Sequence, residues 1–182
     1  MFGNHLPKRP GYCKSKCTLK EIFSYVRWAY SCNTTKTFIL VWVNKRHPQS
    51  ATALLKMFVQ NNWRWGDIDF YFPGFKNPLD FSIGLKLNVL DFGKSIKELE
   101  NMSKWRYSGN TEFLFLEFKN GEISFEHTLS LNIDQLLQNN TISSIPVLME
   151  DIIKASKSCT QVSEFANQLN YLEASKVVKN LS

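Results

Sequence analysis

The apolar positions of the N-terminal third predict a helix followed by a buried strand. Thr18 and Glu21 form a capping box, in which each side chain accepts a hydrogen bond from the other residue's backbone amide. Apolar side chains then recur at helical spacing from Leu19 to Tyr30. The segment TFILVWVN (37–44) is a continuous β-branched and aromatic run, which is typical of a strand buried on both faces.

The middle of the chain predicts a second helix and a second strand. The helix covers HPQSATALLKMFVQ (47–60) and begins near Pro48, a residue type favoured in the first helical turn. The strand, DIDFYF (67–72), stops at Pro73-Gly74, which is a turn signal. Residues 76–92 are predicted as a loop with a short strand near 85–90, and SIKELENM (95–102) is predicted as a short helix.

The clearest local prediction is a β-hairpin over residues 111–131. Two alternating runs, TEFLFLEF (111–118) and EISFEHTLSL (122–131), flank Asn120-Gly121. Asn-Gly supplies the positive φ values that a type I′ turn requires. Two more helices are predicted to follow, one over 145–157 and one from Thr160 to the C-terminus.

The element order α, β, α, β, loop, α, β-hairpin, α, α predicts an α/β fold. A βαβ unit followed by a helix and an antiparallel hairpin gives a mixed β-sheet with helices on both faces. This order resembles the thioredoxin fold, with extra helices at the N- and C-terminal ends. We expect a single α/β domain over residues 18–182 and an irregular basic arm over residues 1–17, where prolines, glycines and four bases cluster.

The resemblance to thioredoxins is topological only. That family places Cys-x-x-Cys at the start of the helix after the first strand, where this chain reads NKRHPQS (44–50). The family also places a cis-proline before the hairpin strand, and no proline stands at that point here. Cys13 and Cys17 lie in the arm, before any predicted strand. Thiol chemistry at the family's site is therefore excluded.

The charge distribution indicates an anionic partner. The net charge is +6, but the first 66 residues hold eleven bases and one acid, so they carry +10 and the remainder carries −4. This asymmetry favours contact with nucleic acid, a phosphate-bearing ligand or an acidic protein surface; the alternative is a basic surface that serves solubility alone. The candidate anion-binding or nucleic-acid-binding residues are Lys8, Arg9, Lys14, Lys16, Lys20, Arg27, Lys45 and Arg46.

Composition also limits the compartment, the cofactors and the metals. The longest apolar run, FILVWV (38–43), is far shorter than the ~20 residues that span a bilayer, and the N-terminus has no apolar core of a secretory signal. We therefore expect a cytoplasmic protein with reduced thiols, no membrane partner and no cofactor. Structural zinc uses two tight ligand pairs, whereas this chain has one, Cys13 and Cys17, so no metal site is predicted.

Two carboxylates, Asp67 and Asp69, lie one residue apart in the second predicted strand. Residues i and i+2 of a strand share a face, so both side chains can converge on one divalent cation. The segment GDIDFYF resembles the strand motif of polymerase-β-like nucleotidyltransferases, which implies metal ions that bind a triphosphate. That family has a Gly-Ser turn upstream, where this chain reads LLKMFVQNNW. The alternative is structural: Asp67 begins the strand, and Asp69 pairs with a nearby base.

A second candidate site consists of Glu117 and Lys119 at the end of the first hairpin strand. FLFLEFK resembles the Glu-x-Lys element of restriction-endonuclease-like nucleases, which implies a metal-binding carboxylate and a lysine that steadies transition-state charge. That family requires an upstream acid, and those available, Asp69, Asp80 and Asp91, are all separated from Glu117 by a predicted helix. The alternative is an exposed hairpin end with solvated charges.

Aromatic residues provide candidates for an interface. They alternate with bases in NWRWG (62–66) and SKWRYSG (103–109). Such residues stack on unpaired nucleobases, pack a core or form a protein interface. The interface candidates are Trp63, Trp65, Phe75, Trp105 and Tyr107.

These patterns favour a non-catalytic accessory or adaptor subunit bound to a larger protein. Both enzyme motifs are incomplete, and no G-x-S-x-G, Walker or G-x-G-x-x-G motif is present. The DFYFPG strand end and the W-x-YSG segment resemble small uncharacterised bacterial proteins encoded near mobile defence genes, which implies a subunit of a prokaryotic antiviral defence complex. The alternative is a metal-dependent nuclease or nucleotidyltransferase-like enzyme that uses Asp67, Asp69 and Glu117, with Lys119.

Overall fold

The computed structural model describes residues 18–30, 32–44, 46, 54, 67–76, 86–169 and 175–179. The helices of this part of the chain are α1 (Leu19–Ala29), α2 (Val89–Met102), α3 (Ile133–Gln138), α4 (Ile145–Ser156) and α5 (Val162–Leu169). The strands are β1 (Lys36–Trp42), β2 (Asp69–Tyr71), β3 (Phe75–Lys76), β4 (Lys86–Leu87), β5 (Glu112–Lys119), β6 (Glu122–Asn132) and β7 (Ser175–Lys179).

Five of the strands form one mixed sheet in the order β2-β1-β5-β6-β7, and β3 and β4 form a separate two-stranded ribbon. β1 is parallel to β2 and antiparallel to β5, and the remaining neighbours are antiparallel. The order β2-β1-β5-β6 with this pattern of directions is the thioredoxin-like arrangement that the succession of elements predicts. The predicted α/β class with a βαβ-plus-hairpin sheet is confirmed.

β1 is an interior strand of the sheet, and its alternate side chains enter two separate cores. Ile39 and Val41 lie in a core with α4 and α5, which we call the α4–α5 core. Phe38, Leu40 and Trp42 lie in a core with α1 and α2, which we call the α1–α2 core. All five side chains are fully buried, so the prediction of a strand buried on both faces is confirmed.

The predicted helix over 47–60 lies almost wholly outside the described residues. Its described member, Leu54, is helical, fully buried and part of the α4–α5 core. Leu54 therefore occupies the same face of the sheet as α4 and α5, opposite α1 and α2.

Local chemistry fixes the elements that the sequence predicts best. Thr18 and Glu21 form the predicted capping box at α1. At the hairpin turn, Asn120 has φ 54° and Gly121 has φ 83°, as a type I′ turn requires. The hairpin register shifts between Phe115 and Glu117, which marks a β-bulge.

The structure corrects the predicted C-terminus. α5 ends at Leu169, and Ser175–Lys179 form β7 rather than the end of a helix. β7 pairs with β6 in an antiparallel register that aligns Val177 with Leu129. The pairing gives β6 a second neighbour, and the adjacent valines of SKVVK suit a strand better than a helix.

Two helices also differ from their predictions. α2 begins at Val89 rather than at residue 95, because the Asn88 side chain caps it by accepting hydrogen bonds from the amides of Leu90 and Asp91. The short helix α3 was not predicted, and it begins directly at the end of β6, where Asn132 acts as its cap.

The Pro73-Gly74 turn after β2 packs directly on the start of α2. The carbonyl oxygen of Gly74 accepts a hydrogen bond from the Asn88 amide at 2.7 Å. A Cβ placed on Gly74 would lie 2.7 Å from the Cβ of Phe92 and 2.9 Å from its Cα. Glycine is therefore required here by the close approach of two backbones as well as by its φ of +81°. Among the described residues, no helix combines the length and the apolar character needed to cross a membrane.

Candidate functional site

Asp69 lies on β2 and is held by two groups of the α1–α2 side of the sheet. Its Oδ2 accepts a hydrogen bond from the Tyr30 hydroxyl at 2.6 Å and pairs with Lys36 Nζ at 3.2 Å. The Lys36 ammonium also stands 4.7 Å from the centre of the Tyr30 ring, which adds a cation–π contact. The structural alternative for Asp69, an ion pair with a nearby base, is therefore present.

The Tyr30 hydroxyl titrates outside its ordinary range. Burial raises its pKa well above the usual value, and the neighbouring Tyr71 and Asp69 raise the pKa further. The phenol thus stays protonated and keeps donating to Asp69.

Glu117 is not a solvated residue at a hairpin end. It is 2% exposed, and its Oε1 accepts a hydrogen bond from the backbone amide of Val162 at 2.7 Å. This amide opens α5, so Glu117 caps a helix from the central strand of the sheet. Nearby, the Thr37 hydroxyl donates to the carbonyl oxygen of Thr160 at 2.8 Å. The prediction of exposure is wrong for Glu117, whereas Lys119 is exposed.

The strand register separates Asp69 from Glu117. Asp69 is aligned with Phe38 of β1, and Glu117 is aligned with the preceding residue, Thr37. Successive residues of a strand point to opposite faces, so Asp69 faces α1 and Glu117 faces α5. The structure therefore does not bring these two carboxylates together, and the predicted three-carboxylate site with Asp67 does not form.

Asp67 precedes β2 in a turn and is exposed. It lines a cleft of about 430 Å³ together with Tyr30, Lys36 and Cys159. Among the described residues, no group of three or more His, Cys, Asp or Glu side chains is arranged to hold a metal ion.

The two described cysteines are not joined in a disulfide. Cys32 is exposed, whereas Cys159 is buried and donates its thiol to the Gln168 side-chain oxygen at 2.8 Å. Burial raises the pKa of the Cys159 thiol, while Ser158 lowers it and Glu164 raises it by smaller amounts. A buried thiol with a raised pKa is a poor nucleophile.

Three of the predicted anion-binding residues belong to the described part of the chain. Lys20 and Arg46 are exposed. Arg27 is also exposed, but it forms an ion pair with Glu122 at 2.9 Å. The other candidates lie outside the described residues: Lys8, Arg9, Lys14, Lys16 and Lys45.

The predicted aromatic interface is wrong for two of its members. Phe75 is 4% exposed and Trp105 is 2% exposed, so neither ring reaches a partner. Trp105 stacks on Trp42 with the ring centres 5.3 Å apart and belongs to the α1–α2 core. Tyr107 is half-buried beside them, and Trp63 and Trp65 lie outside the described residues.

An exposed tryptophan that the interface prediction omitted lies on α1. Trp28 is 68% exposed, and its ring centre lies 5.6 Å from that of Tyr25. The signal was present in the sequence, because Trp28 falls outside the apolar stripe that faces the core at Leu19, Ile22, Phe23 and Val26.

A larger cleft, of about 680 Å³, opens at the carboxyl end of β1. Its walls come from the residues that follow β1, from β4, from the first turn of α2 and from the segment before β5. The described lining residues are Val43, Asn44, Arg46, Leu87, Val89, Phe92, Tyr107, Ser108, Gly109 and Asn110.

Two buried carboxylates lie behind the wall of this cleft. Glu112 accepts hydrogen bonds from the hydroxyls of Ser130 at 3.1 Å and Ser108 at 3.2 Å. Asp134 accepts one from the Thr111 amide at 2.8 Å. Burial raises the pKa of Tyr107, and the negative charges of Glu112 and Asp134 raise it further, so its phenol is neutral at physiological pH.

Comparison with protein families, with curated proteins and with solved structures gives no match to this chain.

Proposed function

We propose that this protein is a non-catalytic accessory or adaptor subunit that docks on a larger protein and whose basic N-terminal third meets an anionic partner. The observation that carries the proposal is the separation of the candidate catalytic carboxylates. Asp69 is engaged by Tyr30 and Lys36 on one face of the sheet, and Glu117 caps α5 on the other. A metal-dependent phosphotransfer site needs such groups around one cation.

The outer face of α1 supports the docking role. Trp28 and Tyr25 are in contact there, and the exposed Lys20 and Arg27 lie on the same helix. Tryptophan, tyrosine and arginine are the residues that most often dominate the binding energy of protein interfaces. Together with the excess of bases in the first 66 residues, they suit a partner with an acidic surface around an apolar pocket.

The assignment to a prokaryotic antiviral defence complex rests on the resemblance of the DFYFPG and W-x-YSG segments alone. It proposes a biological setting for the partner and adds no chemistry to the docking surface.

The docking role is tested with the full chain purified from its native host under mild conditions. We expect the wild-type protein to elute with one partner at fixed stoichiometry, and Trp28→Ser to elute alone with an unchanged unfolding temperature. Val147→Ser is the matched control, because Val147 is 41% exposed on α4, which packs on the opposite face of the sheet, and it should keep the partner. A partner that remains bound to Trp28→Ser contradicts the docking role.

The anionic contact and the non-catalytic assignment have separate readouts. Replacing Lys14, Lys16 and Lys20 by glutamate should weaken an anionic partner and flatten the salt dependence of its binding. Purified protein should not hydrolyse or join nucleotides with Mg²⁺ or Mn²⁺. An activity of this kind that is lost in the double variant Asp67→Ala, Asp69→Ala, with folding intact, would overturn the proposal in favour of the phosphotransfer enzyme.

A further inference from the structure

The cleft at the carboxyl end of β1 has the size and position of a small-molecule site. Its volume of about 680 Å³ lies within the range of ~300–1,000 Å³ that is usual for ligand pockets. Ligands of open α/β sheets bind outside the carboxyl ends of the strands. β1 is an interior strand of the sheet, and the two residues that directly follow it, Val43 and Asn44, form part of the cleft wall.

One wall of the cleft is aromatic and rigid. The rings of Phe92 and Tyr107 lie 5.9 Å apart in an edge-to-face pair, and both residues are half-buried. Behind them, the ring centre of Trp42 lies 5.5 Å from that of Phe92, and Trp42 stacks on Trp105. Both tryptophans are buried. This packing fixes the two wall rings while leaving part of each exposed, as a platform for a flat aromatic ligand requires.

Among the described residues that line the cleft, one is cationic, Arg46. Arg46 is exposed, and its guanidinium has no ion-pair partner among the described residues. Asn44 holds the Arg46 backbone, because the Asn44 side-chain oxygen accepts from the Arg46 backbone amide at 2.8 Å while the Asn44 amide group donates to the Gly109 carbonyl. The Asn44 side chain thus links the backbone of Arg46 to that of Gly109, and both residues line the cleft.

The charges determine how a ligand would lie. Glu112 and Asp134 are buried behind the Tyr107 wall, and their negative charges repel an anion from the interior. Arg46 attracts an anion at the mouth. A ligand with a neutral aromatic ring and an anionic group therefore fits with the ring inside and the anionic group at the rim.

We propose that this cleft binds a nucleotide unit, with the base against Phe92 and Tyr107 and the phosphate at Arg46. Nucleotides combine a neutral aromatic ring with a phosphate, and polar groups of Ser108 and Asn110 line the wall where a base edge would be read. The unit is either a free mononucleotide or one residue of a single-stranded nucleic acid. This inference rests on the anionic-partner part of the proposed function and does not depend on docking through Trp28.

The test is equilibrium binding to the purified full chain, measured by anisotropy of labelled ligand and by quenching of tryptophan fluorescence. The probes are the four ribonucleoside triphosphates, a mixed-sequence single-stranded DNA and RNA 12-mer, adenosine and inorganic phosphate. Saturable binding of triphosphates identifies a free nucleotide, and binding of the 12-mers alone identifies a single strand. Binding of inorganic phosphate as tight as that of every nucleotide overturns the inference, because the ring then contributes nothing.

Two variants place the binding in the cleft. Arg46→Gln removes the cation, and Val89→Glu adds a negative charge to the lining of the same cleft, at a side chain that is 60% exposed. Arg46→Gln should weaken nucleotide binding about tenfold or more, which is the usual effect of losing a hydrogen bond to a charged group. Val89→Glu should weaken it because the new carboxylate repels the phosphate. Val147→Glu, on the far side of the sheet, is the matched control and should change the affinity less than about twofold.

Equal affinities of wild type, Arg46→Gln and Val89→Glu for every probe would overturn the nucleotide cleft, as would the absence of binding to all probes. These outcomes are distinguishable from failure of the proposed function. If only the Lys14, Lys16 and Lys20 variant loses binding of the 12-mers, the anionic partner binds at the basic N-terminal residues and not in the cleft. Retention of the host partner by Val89→Glu shows that docking survives without the cleft.

Discussion

Gly74 provides a sharp test of how the turn after β2 meets α2. In Gly74→Ala, the new Cβ would meet the Cβ of Phe92 at 2.7 Å, its Cα at 2.9 Å and its backbone nitrogen at 3.0 Å. Carbon atoms prefer separations of about 3.5–4.0 Å, so the overlap approaches 1 Å. Two of the three atoms belong to the backbone of α2, which cannot move without shifting the whole helix.

Two effects contribute to the cost of Gly74→Ala. The left-handed φ of +81° costs a residue with a Cβ roughly 1–2 kcal/mol. Overpacking against the helix adds roughly 1–3 kcal/mol. We therefore expect the free energy of unfolding to fall by about 2–5 kcal/mol, as measured by urea titration with tryptophan fluorescence.

The chain supplies controls that isolate the contact. Gly109 has φ +85° with nothing within 4 Å of an added Cβ, and Gly121 has φ +83° with Cys32 at an ordinary 3.6 Å. Gly109→Ala and Gly121→Ala should therefore show only the conformational cost of about 1–2 kcal/mol. If Gly74→Ala costs no more than these two, the turn does not press on α2 and the described packing is wrong.

Three further predictions use the same unfolding measurement. Glu117→Ala should lower the free energy of unfolding by about 1–3 kcal/mol, because it leaves the buried Val162 amide without an acceptor. The control Glu122→Ala, at an exposed ion pair, should lower it by less than about 1 kcal/mol. Equal losses would show that Glu117 does not cap α5. Trp105→Ala should lower the free energy of unfolding by about 3–5 kcal/mol, whereas Trp28→Ala should leave that of the isolated chain within about 0.5 kcal/mol of wild type. A larger loss for Trp28→Ala than for Trp105→Ala would contradict the burial of Trp105 and the exposure of Trp28. The raised pKa of Tyr30 means that above its ordinary value of about 10 the unfolded chain loses the proton first, so stability present at lower pH is lost as the pH rises. Tyr30→Phe should therefore show a shallower loss of stability above pH 10 than wild type, and identical slopes would contradict the burial of the phenol.

Local sequence was sufficient where short-range physics decides the conformation. The capping box of α1, the buried run of β1 and the Asn120-Gly121 turn each depend on a few neighbouring residues, and all three are present. Their order along the chain was enough to predict a mixed sheet with helices on both faces, because connections between consecutive elements are short and follow few topologies.

Register and packing were decided only in three dimensions. Asp69 and Glu117 are aligned with successive residues of β1, so they lie on opposite faces of the sheet. The sequence shows that both residues are acids but does not show this alignment. The burial of Trp105 follows from its stacking on Trp42 in the α1–α2 core, a contact between residues far apart in the chain. From the sequence alone, a tryptophan between two bases is equally compatible with a surface position.

The same division explains the C-terminus and the larger cleft. Helix propensity over 160–182 is a local quantity, whereas β7 exists because β6 offers it an unpaired edge far away in sequence. Likewise Arg46, Phe92 and Tyr107 carry no shared motif, and the fold alone lines one cleft with all three. Periodicity and turn chemistry therefore determined most of the elements of this protein, and long-range pairing determined β7 and which side chains meet.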